Sequence, residues 1–128
     1  MNTTDQIAKD IVDAAFKVHN KLGPGLLESA YEACLAHELT RRGYQIERQK
    51  EQPVIYEGLE IEVGYRLDIL VDDKVIIELK AVEQMLPIHQ AQIMTYLKLS
   101  QKTLGLLINF NVPLIKHGIK RVAMNHPE

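Results

Sequence analysis

The spacing of apolar residues changes twice along this chain, and those changes limit the fold more than any other feature. From Ile7 to Leu22, and again from Leu27 through Tyr31, Cys34 and Leu35 to Leu39, they recur at three- and four-residue steps, the period of an amphipathic helix. From Tyr44 to Val82 the period falls to two, which belongs to strands with one covered face. Pro87 opens a further helix reaching about Ser100, and Thr103 to Phe110 is a β-rich apolar run. Helix, helix, three strands, helix, strand is the order of an α/β (α+β) chain, a mixed sheet flanked by helices rather than a bundle or a sandwich.

Local signals set the boundaries. Thr3 or Thr4 caps the first helix, and Gly23-Pro24-Gly25 ends it. The second helix runs from about Leu26 to Arg42, with Gly43 as its stop, and packs on the first as a hairpin. Strands are predicted near Gln45 to Gln52, Val63 to Val71 and Val75 to Val82, with a second approach around Val54 to Ile61. Leu104 to Ile108 is apolar on both faces and reads as a central, covered strand, with a weaker one at Ile119 to Met124.

With no repeat or linker, the 128 residues read as one unit: 1–24 a helix and loop, 25–110 the core and 111–128 an extension. A domain of that length buries roughly two-thirds of its unfolded surface and needs no disulfide or structural zinc. Cys34, the lone cysteine, sits between Ala33 and Leu35 as a small buried hydrophobe, and no apolar run nears the ~20 residues of a membrane span. A cytoplasmic, non-membrane protein is expected. A net charge of -2 removes any global attraction to polyanions. The cations lie in small groups: Arg41, Arg42, Arg48 and Lys50; Lys98 and Lys102; Lys116, Lys120 and Arg121. His89, two residues into the third helix, reads as solvent-facing, and His19, His37, His117 and His126 show no zinc spacing.

The strands ending at Val71 and beginning at Val75 carry the chemistry. Leu67, Ile69 and Val71 share one face, and Arg66, Asp68 and Leu70 the other. Val75, Ile77, Leu79 and Ala81 likewise leave Glu78 and Lys80 together on the opposite face. A loop of Asp72, Asp73 and Lys74 pairs Val71 with Val75 and sets Asp68 against Glu78, whereas a two-residue loop pairs Asp68 with Ile77 and mismatches the apolar faces. At ~5 Å, two carboxylates repel unless a cation bridges them or Lys80 compensates. Hard oxygen ligands with room for water suit Mg²⁺ or Mn²⁺. A salt-bridged patch on a solvated sheet face is the other reading of the same spacing.

Leu67-Asp68 followed by Glu78-Leu79-Lys80 on the next strand resembles the signature of the PD-(D/E)xK nuclease superfamily, with Leu67 where its first motif carries proline. Gly25-Leu26-Leu27-Glu28-Ser29-Ala30-Tyr31 resembles the motif of the small bacterial GxxExxY family, grouped with those nucleases. Gln92-Ile93-Met94-Thr95-Tyr96 is similar to the Q-x-x-x-Y motif of RecB-like members. The resemblance implies a restriction-endonuclease-like αβββαβ core with an extra N-terminal helix, and metal-dependent phosphodiester hydrolysis. It implies that Asp68, Glu78, the Leu79 carbonyl and Glu28 hold Mg²⁺ or Mn²⁺. Lys80 acts on the attacking water, and Gln92, Tyr96 and Tyr31 bind or orient the substrate. The implied partner is nucleic acid, DNA ahead of RNA, with a possible homodimer aligning two basic groups. A catalytically silent module of the same fold, or a hydrolase of small phosphates with a closed pocket, are the alternatives.

Overall fold

Thr3 starts the first helix by a reciprocal cap, its hydroxyl accepting from the Gln6 N–H at 3.2 Å while Gln6 Oε1 accepts from the Thr3 N–H at 2.9 Å. The computed structural model describes residues 2–127, beginning with this helix, α1 (Thr4–Leu22). Helix α2 (Glu28–Arg41) starts two residues later than its apolar pattern predicts. The reason is local: the Tyr31 hydroxyl accepts from the Leu26 N–H at 3.1 Å and donates to the Gly23 carbonyl at 2.5 Å, tying the preceding turn into a loop.

Five strands form the main sheet: β1 (Ile46–Glu51), β4 (Arg66–Val71), β5 (Val75–Lys80), β6 (Leu104–Asn109) and β7 (Ile119–Ala123), in the order β1-β4-β5-β6-β7. Only β5 and β6 run parallel, joined by α3 (Pro87–Ser100), the crossover that parallel pairing demands. The approach expected at Val54 to Ile61 is instead a separate hairpin of β2 (Val54–Tyr56) and β3 (Leu59–Ile61). Its turn places Glu57 and Gly58 at positive φ, as a tight hairpin turn requires. Two predicted strands are shorter than expected. β4 begins only at Arg66, after Gly64 has turned the chain at φ +81°, and β5 stops at Lys80 because Asn109 takes both backbone groups of Val82.

The sheet is covered on both faces. Ile7, Ile11, Tyr31, Leu35 and Leu39 from α1 and α2 pack with Ile69, Ile77, Leu79 and Ile108 in one core. Ile93, Tyr96 and Leu97 of α3 pack with Leu70, Ile76 and Leu107 in the other. Cys34 lies partly buried against the first core. β7, expected only weakly, supplies an edge strand with Val122 in the second core. No described helix is long and apolar enough to cross a membrane.

Gly118, between the 3-10 turn at Ile115–His117 and β7, has φ -99°, which any residue adopts, but a Cβ there would lie 2.1 Å from the Asn109 carbonyl oxygen. Gly118→Ala therefore loses stability through overpacking alone, by about 1–3 kcal/mol. Urea denaturation measures it, and an unchanged midpoint would mean that the loop gives way.

Candidate active site

The β4–β5 hairpin adopts the three-residue register, with rungs Val71↔Val75, Leu70↔Ile76 and Ile69↔Ile77, and the ladder stops there. Beyond the last rung, side chains take over from backbone. Glu78 Oε1 accepts from the Asp68 N–H at 3.2 Å, and Asp68 Oδ2 accepts from the Leu79 N–H at 2.8 Å. The two acids thus come together as the register requires, but each reaches across to the other strand's main chain. Strict alternation fails at the same point. Ile69 and Val71 join the α1–α2 core, while Leu67, expected with them, joins Leu70 in the α3 core because β4 has parted from β5 at that residue.

Burial makes the pair electrostatically tense. Desolvation first, and then the Asp68 charge, push the Glu78 carboxyl up to about 8. Asp68 is also raised, by desolvation above all, with Glu32 adding to the shift and the Leu79 N–H, Gln49 and Lys80 opposing it. Lys80, half-buried at the end of β5, lowers the pKa of Asp68, Glu78 and Glu28 through its charge, yet among the described residues it forms no ion pair. Glu28 is the first residue of α2, where the helix dipole favours an anion. Its pKa is raised nonetheless, chiefly by desolvation, with the charges of Asp68 and Glu32 adding to it.

Glu28 lies close enough to feel the charges of Asp68 and Lys80 without closing a cage: no three His, Cys, Asp or Glu side chains among the described residues converge as a cation site. The donor set is a pair of carboxylates, which suits a cation that keeps most of its waters. Gln92 Nε2 donates to the Tyr96 hydroxyl at 3.2 Å, and the Glu78 charge helps raise the Tyr96 pKa, so this motif flanks the acids from the α3 side. Tyr31 faces the core instead. It is fully buried and stacks on Phe110 at 4.5 Å, so its hydroxyl serves the turn that presents Glu28 rather than a substrate. His89 caps α3, its Nδ1 accepting from the Leu86 N–H at 3.0 Å.

Three residues near the acids were not anticipated as part of the site. Glu32, buried one turn after Glu28, accepts from Gln49 Nε2 at 2.6 Å and from Arg48 Nε at 3.0 Å, and the same Gln49 nitrogen lies 3.3 Å from Asp68 Oδ1. The four-residue step from Glu28 was a visible signal for Glu32; Gln49 had none. Most predicted basic groups are already engaged within the chain. Arg42 pairs with Asp13, Arg48 with Glu32, Lys50 with Glu47, Lys102 with Asp73 and Arg121 with Asp5. A cleft of about 440 Å³, open to solvent, is lined by Val54, Tyr65, Ile88, Gln92 and Tyr96 among others, with Asp68, Glu78, Lys80 and Glu28 outside its lining.

The sequence model described as the PD-(D/E)XK nuclease superfamily matches residues 5–122, from the first turn of α1 into β7. No curated protein and no solved structure matches the chain.

The raised carboxyls set a pH dependence. The folded state holds a proton on Glu78 up to about pH 8, while an unfolded glutamate loses it near 4.5. The fold therefore binds more protons between those values, and its stability falls as pH rises through them. For protein held in chelator, this loss is at most about 5 kcal/mol between pH 4.5 and 8. Thermal melts from pH 5 to 8 measure it, and Glu78→Gln is expected to flatten most of the slope.

Proposed function

The chain belongs to the PD-(D/E)XK nuclease superfamily, and from that premise we propose that it is a Mg²⁺- or Mn²⁺-dependent nuclease hydrolysing phosphodiester bonds of nucleic acid, DNA ahead of RNA. The observation that carries this reading is the interlocked acid pair with Lys80 alongside. Asp68 and Glu78 each accept an N–H from the opposite strand, Asp68 also accepts from Gln49 on its other oxygen, and the carboxyl oxygens keep lone pairs for a ligand. Their raised pKa values mark a place where added positive charge is favourable.

Asp68, Glu78 and the Leu79 carbonyl would hold the cation, with Glu28 bearing on its waters from the start of α2. Bound there, a divalent cation supplies Lewis-acid polarisation of the phosphate and a more acidic water. Lys80 supplies a fixed ammonium to orient the attacking water and to offset charge as it builds on the phosphate oxygens. Gln92 and Tyr96 border the cleft and orient the phosphate chain as it enters. An open cleft suits a polymer better than a small phosphate, which a closed pocket would hold. A cytoplasmic setting and one functional unit over 1–128 accord with this role.

The internal pairing of so many cations also gives weight to a second reading, a catalytically silent module that binds a partner through this fold. Cleavage of labelled single-stranded, duplex and branched DNA and of RNA, with Mg²⁺, Mn²⁺ or chelator, separates the two. The expected result is metal-dependent cutting that falls at least about 100-fold in Asp68→Asn, Glu78→Gln and Lys80→Ala. Cutting that survives all three substitutions would overturn the site, and metal-independent binding without cutting would favour the silent module.

A further inference from the structure

Gln49 stands out in β1 because its backbone is left-handed in the middle of a strand. Rungs join Arg48 to Ile69 and Lys50 to Leu67, but Gln49, at φ +50°, is skipped. L side chains rarely adopt that conformation, and nothing in turn chemistry asks for it, since β1 continues to Glu51. Its side chain makes the contacts that account for it. The Nε2 amide, with two hydrogens to give, lies 2.6 Å from Glu32 Oε1 and 3.3 Å from Asp68 Oδ1.

We propose that Gln49 is a positioning residue for cation binding, fixing the Asp68 carboxylate from β1 while the Leu79 N–H fixes it from β5. This rests on the proposed function, since it assigns Asp68 to the cation. Each Asp68 oxygen then accepts one bond, from opposite neighbouring strands, and each keeps a lone pair free. The choice of a neutral amide matters chemically. A lysine or arginine at this place would orient Asp68 equally well but would cancel the charge that a cation needs, whereas an amide orients without neutralising. Glu32 is the anchor. Buried on α2, it is itself charge-balanced by Arg48, whose Nε and Nη2 both approach Oε2 at 3.0 Å, so Gln49 is gripped at its far side by a fixed acceptor. Groups that orient a metal ligand from outside typically matter for metal affinity by 10- to 100-fold.

Gln49→Gly separates positioning from mere stitching of β1 to α2, because glycine accepts the positive φ while removing the amide. Mn²⁺ and Mg²⁺ are titrated by calorimetry without nucleic acid, beside thermal melts of the same chelated samples. The expected result is a melting temperature at or above wild type, with cation affinity at least about 10-fold weaker. Gln49→Asn, which also tolerates positive φ but is one methylene short of spanning Glu32 and Asp68, should weaken binding likewise. Wild-type affinity in both variants overturns the role of Gln49 and leaves the nuclease reading standing. A wild-type protein that binds neither cation at millimolar concentration overturns both.

Discussion

The β4–β5 ladder ends one rung short of the acids, and the architecture of the site depends on that termination. Beyond Ile69↔Ile77 the Asp68 and Leu79 amides belong to no rung of this ladder. Instead they donate to Glu78 and Asp68, so the same bonds that finish the hairpin also fix the direction of both carboxylates. Two bonds to carboxyl oxygens thus stand where the ladder has no rung. The same contacts bring two desolvated acids together, and that desolvation raises both carboxyls while the Lys80 charge acts against the rise.

The helices on the two faces hold this arrangement from different sides. α2 is locked at its start by the Tyr31 hydroxyl and by the stacking of Tyr31 on Phe110, and it brings Glu28 and Glu32 to one side of the acids. α3 packs close to β6 because Gly105 lacks a Cβ, which would come within 2.8 Å of Ile93 Cδ1, and it brings Gln92 and Tyr96 to the other side. Acid, amide and phenol therefore meet from four separate elements at a place where backbone pairing has stopped.

Neutral donors and cations divide the work around the acids. Backbone amides and Gln49 set orientation, whereas Lys80 supplies positive charge from the end of β5 without being consumed in an ion pair. Arg42, Lys50, Lys102 and Arg121 are held in pairs across the surface, with Asp13, Glu47, Asp73 and Asp5 opposite them. Exposed pairs of this kind add little stability.

The sequence by itself determined the element order, the three-residue hairpin register and the meeting of Asp68 with Glu78, since periodicity and turn length act through neighbours a few residues apart. The motifs carried Glu28, Lys80, Gln92 and Tyr96 to the same region for the same reason: each sits at a fixed step on an element whose face the pattern specifies. Tertiary structure decided the rest. Whether Tyr31 faced substrate or core depended on Phe110, far away in sequence, and whether Leu67 followed its alternation depended on where two strands part. Val54 to Ile61 became a detached hairpin, and Gln49 became part of the site through a left-handed backbone that no local propensity favours. Those outcomes turn on packing and hydrogen bonds between distant segments, whose free energies outweigh local preference once the chain is folded.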